Sequence, residues 1–267
     1  MKVKAIVAFR LVTAAPARLA GFYAQIGFRV GAAAPIASTD MKRLGLAGAG
    51  SRVEMSLGAA RVDLDSFEQS GQAYPGLATA CDLVFQHLAL VTDNVEAAWR
   101  RAVDAGALPI SRAGPVTLPS GAGGVTAAKF RDPEGHPLEL LQFPRASRAD
   151  GRERTAIGVD HSAISVGDVE KAHEFYMRLG LARGKATVNQ GPTQAALDGL
   201  DAVTVDVVPL APAQPSPHLE LLGYRHPQGH KTPPLAVNDV AATRVLWRSD
   251  TDGLIRDPDG HLHELTR

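Results

Sequence analysis

The sequence predicts an α+β protein assembled from tandem β-α-β-β-β modules. Two observations carry this. The segment FRDPEGHPLEL at Phe130–Leu140 returns as IRDPDGHLHEL at Ile255–Leu265, with Arg-Asp-Pro, Gly-His and Glu-Leu at matching places. A second segment, HLALVTDNVEAAWRRAVDAGA from His87, returns as HSAISVGDVEKAHEFYMRLGL from His161, and more weakly as FRLVTAAPARLAGFYAQIGF at Phe9–Phe28. Self-similarity along a chain marks repeated supersecondary units.

Each copy follows the same physical pattern. A short β-branched and apolar run comes first, Ala89–Val91 or Ile164–Val166, and predicts a strand. Thr92-Asp93-Asn94 or Gly167-Asp168, followed by Val-Glu, is a helix start signal. Apolar residues then recur at helical spacing: Val95, Ala98, Trp99, Ala102, and Val169, Ala172, Phe175, Leu179. Gly27, Gly106 and Gly180 stand where a left-handed residue would end each helix. Two or three strands follow, the last strongly apolar. Module one then spans roughly 3–70, module two 83–144 and module three 157–225. Charged Arg145–Arg154 is the best linker, and RHPQGHKTPP (Arg225–Pro234) is the next connector. Module four would begin near Leu235, too late to contain its helix and at least one strand.

Composition sets outer bounds. The 267 residues suit one large domain or two ordinary ones. Hydrophobic residues at 45% and charged residues at 21% are globular values, which exclude disorder as the default. The 28 basic and 28 acidic side chains cancel, so the basic excess of a nucleic-acid binder is missing. Cys81 stands alone, which excludes an internal disulfide and thiolate zinc clusters. MKVKAIVAFRLVTAA reads as a strand, not a signal peptide, because Arg10 breaks the apolar run. No run of 18 apolar residues predicts a membrane span, and a cytoplasmic setting is expected.

Four such modules, two of them closed by DP-[ED]-GH-x-x-EL, resemble the vicinal oxygen chelate superfamily of glyoxalases, extradiol dioxygenases, epimerases and antibiotic-resistance proteins. LGAARVDLDSF (Leu57–Phe67) and CDLVFQHLALVTD (Cys81–Asp93) are similar to two-domain glyoxalase- and dioxygenase-like members. The resemblance implies paired modules curled into cup-shaped mixed sheets with helices outside. It also implies a divalent metal at the cup floor, held by residues of the first and last strands. Pairing in chain order would give an N-terminal domain over 1–145 and a C-terminal domain over 155–267.

Position by position, the first-strand site falls on His87 and His161, with Ala8 and Arg244 at the same place in modules one and four. The last-strand site falls on Asp63, Glu139, Glu220 and Glu264. Strand alternation is consistent: Glu139 shares a face with Leu141, while Leu138 and Leu140 point to the module helix. His136 then closes the DPEGH turn and is no ligand. His263 stands where module two has Leu138, as expected if module four has no helix to pack there.

Chain-order pairing would give each half one imidazole and two carboxylates: Asp63, His87 and Glu139, then His161, Glu220 and Glu264. Such sets suit Fe, Mn, Co, Ni or Zn. With Glu139 or Glu220 moving protons, this points to lyase or isomerase chemistry on a small organic substrate. Extradiol ring cleavage, which calls for two His and one carboxylate, is the alternative, and a metal-free drug-binding protein of the bleomycin-resistance kind is another. Arg244 at a ligand position would grip an anionic substrate or form a salt bridge to Glu264 or Glu220. His218 and Tyr224 share the face of Glu220 as further substrate contacts or strand-edge residues. Gly121–Gly124 is a candidate flap over the module-two cup. An uncovered face on the shortened module four would favour a homodimer.

Overall fold

A computed structural model describes residues 1–144 and 156–267. The expected linker Arg145–Arg154 lies wholly outside them. Module one contains β1 (Val3–Val12), α1 (Pro16–Gln25), β2 (Arg29–Pro35), α2 (Ser38–Leu44), β3 (Gly50–Leu57) and β4 (Ala60–Phe67). Module two contains β5 (Gln86–Val91), α3 (Val95–Asp104), β6 (Leu108–Pro109), β7 (Val116–Thr117), β8 (Thr126–Arg131) and β9 (Pro137–Gln142). Module three contains β10 (Gly158–Ser165), α4 (Val169–Leu179), β11 (Ala182–Arg183), β12 (Thr187–Gln190), α5 (Pro192–Asp198), β13 (Thr204–Ala211) and β14 (His218–His226). Module four is reduced to β15 (Arg244–Ser249), β16 (Gly253–Arg256) and β17 (Leu262–Thr266). No helix stands between its first strand and β16, and that first strand starts nine residues beyond Leu235.

The helices obey the sequence signals. Asn94 caps α3 by accepting from the Ala97 amide, and Asp168 caps α4 by accepting from Lys171. Gly180 ends α4 at φ 96°, a conformation in which a Cβ would be strained. The short helices α2 and α5, inserted after β2 in module one and after β12 in module three, have no periodic signal long enough to foresee.

The sheets pair differently from the chain-order expectation. A seven-stranded sheet runs β16-β17-β15-β1-β4-β3-β2, and a ten-stranded sheet runs β11-β13-β14-β10-β5-β9-β8-β6, with β12 on β13 and β7 on β8. Module one therefore joins module four through antiparallel β1 and β15, and module two joins module three through antiparallel β5 and β10. The sheets do not coincide with the halves 1–145 and 155–267. Alternation holds throughout: Leu88, Leu90, Leu138 and Leu140 enter one core with Val95, Ala98 and Ala102 of α3. That core continues through α1 and α4 to the back of the other sheet, so the two cups open away from a shared apolar centre.

The repeated DP-[ED]-GH turn clasps consecutive modules. Asp132 Oδ1 accepts the amides of Glu134 and His136, and its Oδ2 accepts from Tyr23 of α1 at 3.1 Å. Glu134 accepts the amides of Ala14 and Ala15 at the start of α1, where a carboxylate meets the positive helix end. Gly135 makes the turn at φ 103°. His136 joins Asp132 through Nδ1 and the Val12 and Val240 carbonyls through Nε2. It closes the turn, as alternation predicts.

Module four repeats the clasp: Tyr176 of α4 donates to Asp257, and Asp259 accepts the Gly167 amide. The back of module four, expected to be open, is covered by α4. Trp247 Nε1 donates to His263 Nδ1 at 3.0 Å, which leaves Nε2–H to donate to Tyr176 Oη at 2.9 Å. His263, Trp247 and Leu265 are buried, so this face offers no surface for a dimer. Among the described residues, no helix is long and apolar enough to cross a membrane.

Candidate metal centre

In the ten-stranded sheet, β5 and β10 lie side by side with Ala89 opposite His161 and His87 opposite Ala163. Parallel β9 and β14 flank them, with Glu139 beside Ala89 and Glu220 beside Ala163. His87, His161, Glu139 and Glu220 thus meet on one concave floor. Glu139 Oε2 lies 3.1 Å from His87 Nε2 and 3.9 Å from His161 Nε2, and Glu220 Oε2 lies 3.5 Å from His161 Nε2. His87, Glu139 and His161 offer ligand atoms that all lie within 4.8 Å of one another. They face a cavity of about 280 Å³.

The surroundings orient these groups. Asp160 takes His161 Nδ1–H at 2.9 Å, which fixes the ring and turns Nε2 toward both glutamates. Two imidazoles and two carboxylates are a donor set for a divalent first-row metal. Lys129 of β8 lies opposite Glu139, its Nζ 3.9 Å from Glu139 Oε1 and 2.6 Å from Asp198 Oδ1. Asp198, at the end of α5, also accepts from Tyr224 and Gln194. His218 Nε2 stands 3.3 Å from Glu220 Oε1. Leu118, Val125, Leu141, Phe143 and Leu222 supply an apolar wall, and Ala122 and Gly123 of the glycine-rich segment border the same cavity, where the flap is expected.

Titration follows from these contacts. Burial lowers the pKa of His87 and outweighs the pull of Glu139. Burial also opposes the charge on His161, but Glu220, Asp160 and Glu139 push it up to about 9. Glu139 falls to about 2, because Lys129, His87 and His161 more than offset its burial. The floor is strongly polarised even without an ion.

The other cup is closed by its own charges. Asp63 and Glu264, predicted to join these ligands, lie here instead. Arg10 binds Asp63 at 3.3 Å and also pairs with Glu264. Arg244 Nε lies 2.7 Å from Glu264, and its Nη2 lies 2.7 Å from Asp65. Arg52 and Arg61 complete the cluster on Asp65 and Asp63. Arg244 is wholly buried and so cannot grip a substrate. Its salt bridge is to Glu264, while Glu220 belongs to the other sheet. Arg10 stands two residues beyond Ala8, on the same strand face, so the cup gains a cation where module one has no imidazole.

Sequence reasoning named His87, His161, Glu139 and Glu220 but divided them between two cups. It missed Lys129 and Asp198. The signal for Lys129 was present: counting back through the DPEGH hairpin places it opposite Glu139.

The chain belongs to the Glyoxalase/Bleomycin resistance protein/Dioxygenase superfamily, whose profile matches residues 5–140. A mutant of glyoxalase I from Zea mays is similar in structure, with a TM-score of 0.63 and 16% identity over 98% of this chain and 92% of that one. A putative dioxygenase from Bacillus subtilis gives a TM-score of 0.57 and 13% identity over 99% and 85%. These likenesses extend the fold assignment beyond the matched segment. A sequence comparison with curated proteins finds no match.

Proposed function

We propose that the protein is a metal-dependent enzyme that binds a small organic substrate through two adjacent oxygens and catalyses lyase- or isomerase-type chemistry. One observation carries this proposal. The ten-stranded cup gathers two imidazoles and two carboxylates at a cavity floor, and its acids, Glu139 and Asp198 buried and Glu220 and Asp160 partly buried, face Lys129 and the imidazoles and have no arginines like those of the other cup. Four acids against one lysine leave acidic charge in excess at a largely enclosed floor, which favours a further cation. His87, His161, Glu139 and Glu220 would hold Fe, Mn, Co, Ni or Zn. A bound divalent ion would supply Lewis-acid polarisation of neighbouring substrate oxygens.

The chain's own groups divide the remaining work. Glu220, beside His218 and without a lysine partner, is the carboxylate placed to move a proton. The apolar wall excludes water around the substrate body. Tyr224 and His218 shape the polar side.

Extradiol ring cleavage is the second proposal, because His87, His161 and Glu139 now supply two imidazoles and a carboxylate in one place. Elemental analysis of protein purified without a metal-affinity tag tests the metal. Stoichiometric metal, lost in His87→Ala, is the expected result. No uptake after incubation with Fe(II), Mn(II), Co(II), Ni(II) or Zn(II) would favour a metal-free binding protein. Oxygen consumption with catechol would favour ring cleavage.

A further inference from the structure

The two carboxylates on the cup floor have different neighbours across their hairpins. Opposite Glu139 stands Lys129; opposite Glu220 stands Pro209. Lys129 is buried and tethered by Asp198, which reaches it from α5 of module three. Asp198 is itself fixed by Tyr224 Oη at 3.0 Å and Gln194 Nε2 at 2.9 Å. Gln194 is held in turn by Asn189. This chain of bonds leaves the ammonium little freedom. It faces Oε1 of Glu139, while Oε2 of the same carboxylate faces His87 and His161.

We infer that Lys129, anchored by Asp198, is a positioning residue that keeps Glu139 presenting a single oxygen, Oε2, to the metal site. The inference rests on the metal-dependent function proposed above. Its physical basis is competition for a lone pair. Oε1 lies at ion-pair distance from a fixed cation, and turning it to the metal would strip that cation of a partner inside a low-dielectric site. Burial works against the charge on Lys129, but Asp198, Glu139 and Glu220 outweigh it. The consequence is a coordination position kept open for a substrate oxygen. Glu220, facing a proline and His218, is under no such constraint.

Cobalt(II) is the probe, because its visible absorption is strong at low coordination number and weak at six, so coordination geometry is read without a substrate. Lys129→Met should lower the absorbance per bound cobalt by about twofold or more as Glu139 becomes bidentate. Lys129→Arg, which keeps the cation, should retain the original band. If Lys129→Met does not fold, the paired Lys129→Met/Asp198→Asn variant, which removes both charges, decides in the same way. An unchanged band in whichever of these folds overturns the inference, as does a loss in Lys129→Arg equal to that in Lys129→Met. Absence of cobalt binding by the unaltered protein overturns the inference and the metal-dependent function together. Binding with an unresponsive band overturns the positioning role alone.

Discussion

Two cups built from the same module have met the same problem, buried carboxylates, with opposite solutions. In the seven-stranded sheet, Arg10, Arg52, Arg61 and Arg244 neutralise Asp63, Asp65 and Glu264. The Asp65 carboxyl is held below its ordinary range, because Arg52, Arg244 and Arg10 offset its burial. In the ten-stranded sheet, imidazoles replace the arginines. Imidazole nitrogen has a lone pair to offer and guanidinium has none. The difference between a floor locked by arginines and a floor with lone pairs to offer is therefore a matter of which nitrogen occupies the first strand: Arg244 in β15, His161 in β10.

Breaking the closed cup should have the largest effect. Arg244→Met strands two buried acids and should cost about 3–5 kcal/mol in urea denaturation. Metal content should be unchanged. A matching loss of metal would mean that the cups are not independent.

His263, which stands where module two has Leu138, gives the next test. Burial lowers its pKa to about 4. The unfolded chain takes up this proton near the ordinary histidine value, while the folded chain resists. The stabilisation is thus complete at neutral pH and is lost as pH falls from about 6.5 toward 4, on the order of 3 kcal/mol. His263→Leu should flatten the acid limb of the stability profile by that amount, measured by denaturation at pH 7 and pH 4.5. Identical slopes in the two proteins would show that folding does not shift the titration of this ring.

In the open cup, Glu139→Ala removes a proposed ligand and should weaken metal binding by at least about 100-fold, the upper range for groups that only support a ligand. Glu264→Gln, at the equivalent place, should not change it. Competitive titration with a chelating dye separates the two. The smallest effect belongs to the clasps: Glu134→Ala removes the carboxylate at the start of α1 and should cost about 1 kcal/mol, read as a shift in the urea midpoint.

The module pattern was legible because it is local. Alternation sent Glu139 into the cup, glycines marked the helix ends, and the missing stretch of module four was visible in the residue spacing. Module pairing was not legible. All four copies present similar strands, and nothing within one copy states which other will join its first strand. That single unknown split the floor residues into two sets with one histidine each, and with it the case against oxygen chemistry. Asp198 was hidden for a different reason. It sits on a seven-residue helix, too short for periodicity to show.

The pairing of β1 with β15 also sets an order of assembly. Every strand of the ten-stranded sheet comes from Gln86–His226, one continuous run. As the chain leaves the ribosome, that sheet can close with all four floor residues in place. The first strand can pair early with β4, Phe9 beside Val62, but its other edge must wait until Val245 emerges. Pairings so distant are the slow ones in folding. The arginine cluster that spans this late junction acts as a lock: it forms only when Arg10 and Glu264, 254 residues apart in the chain, have met.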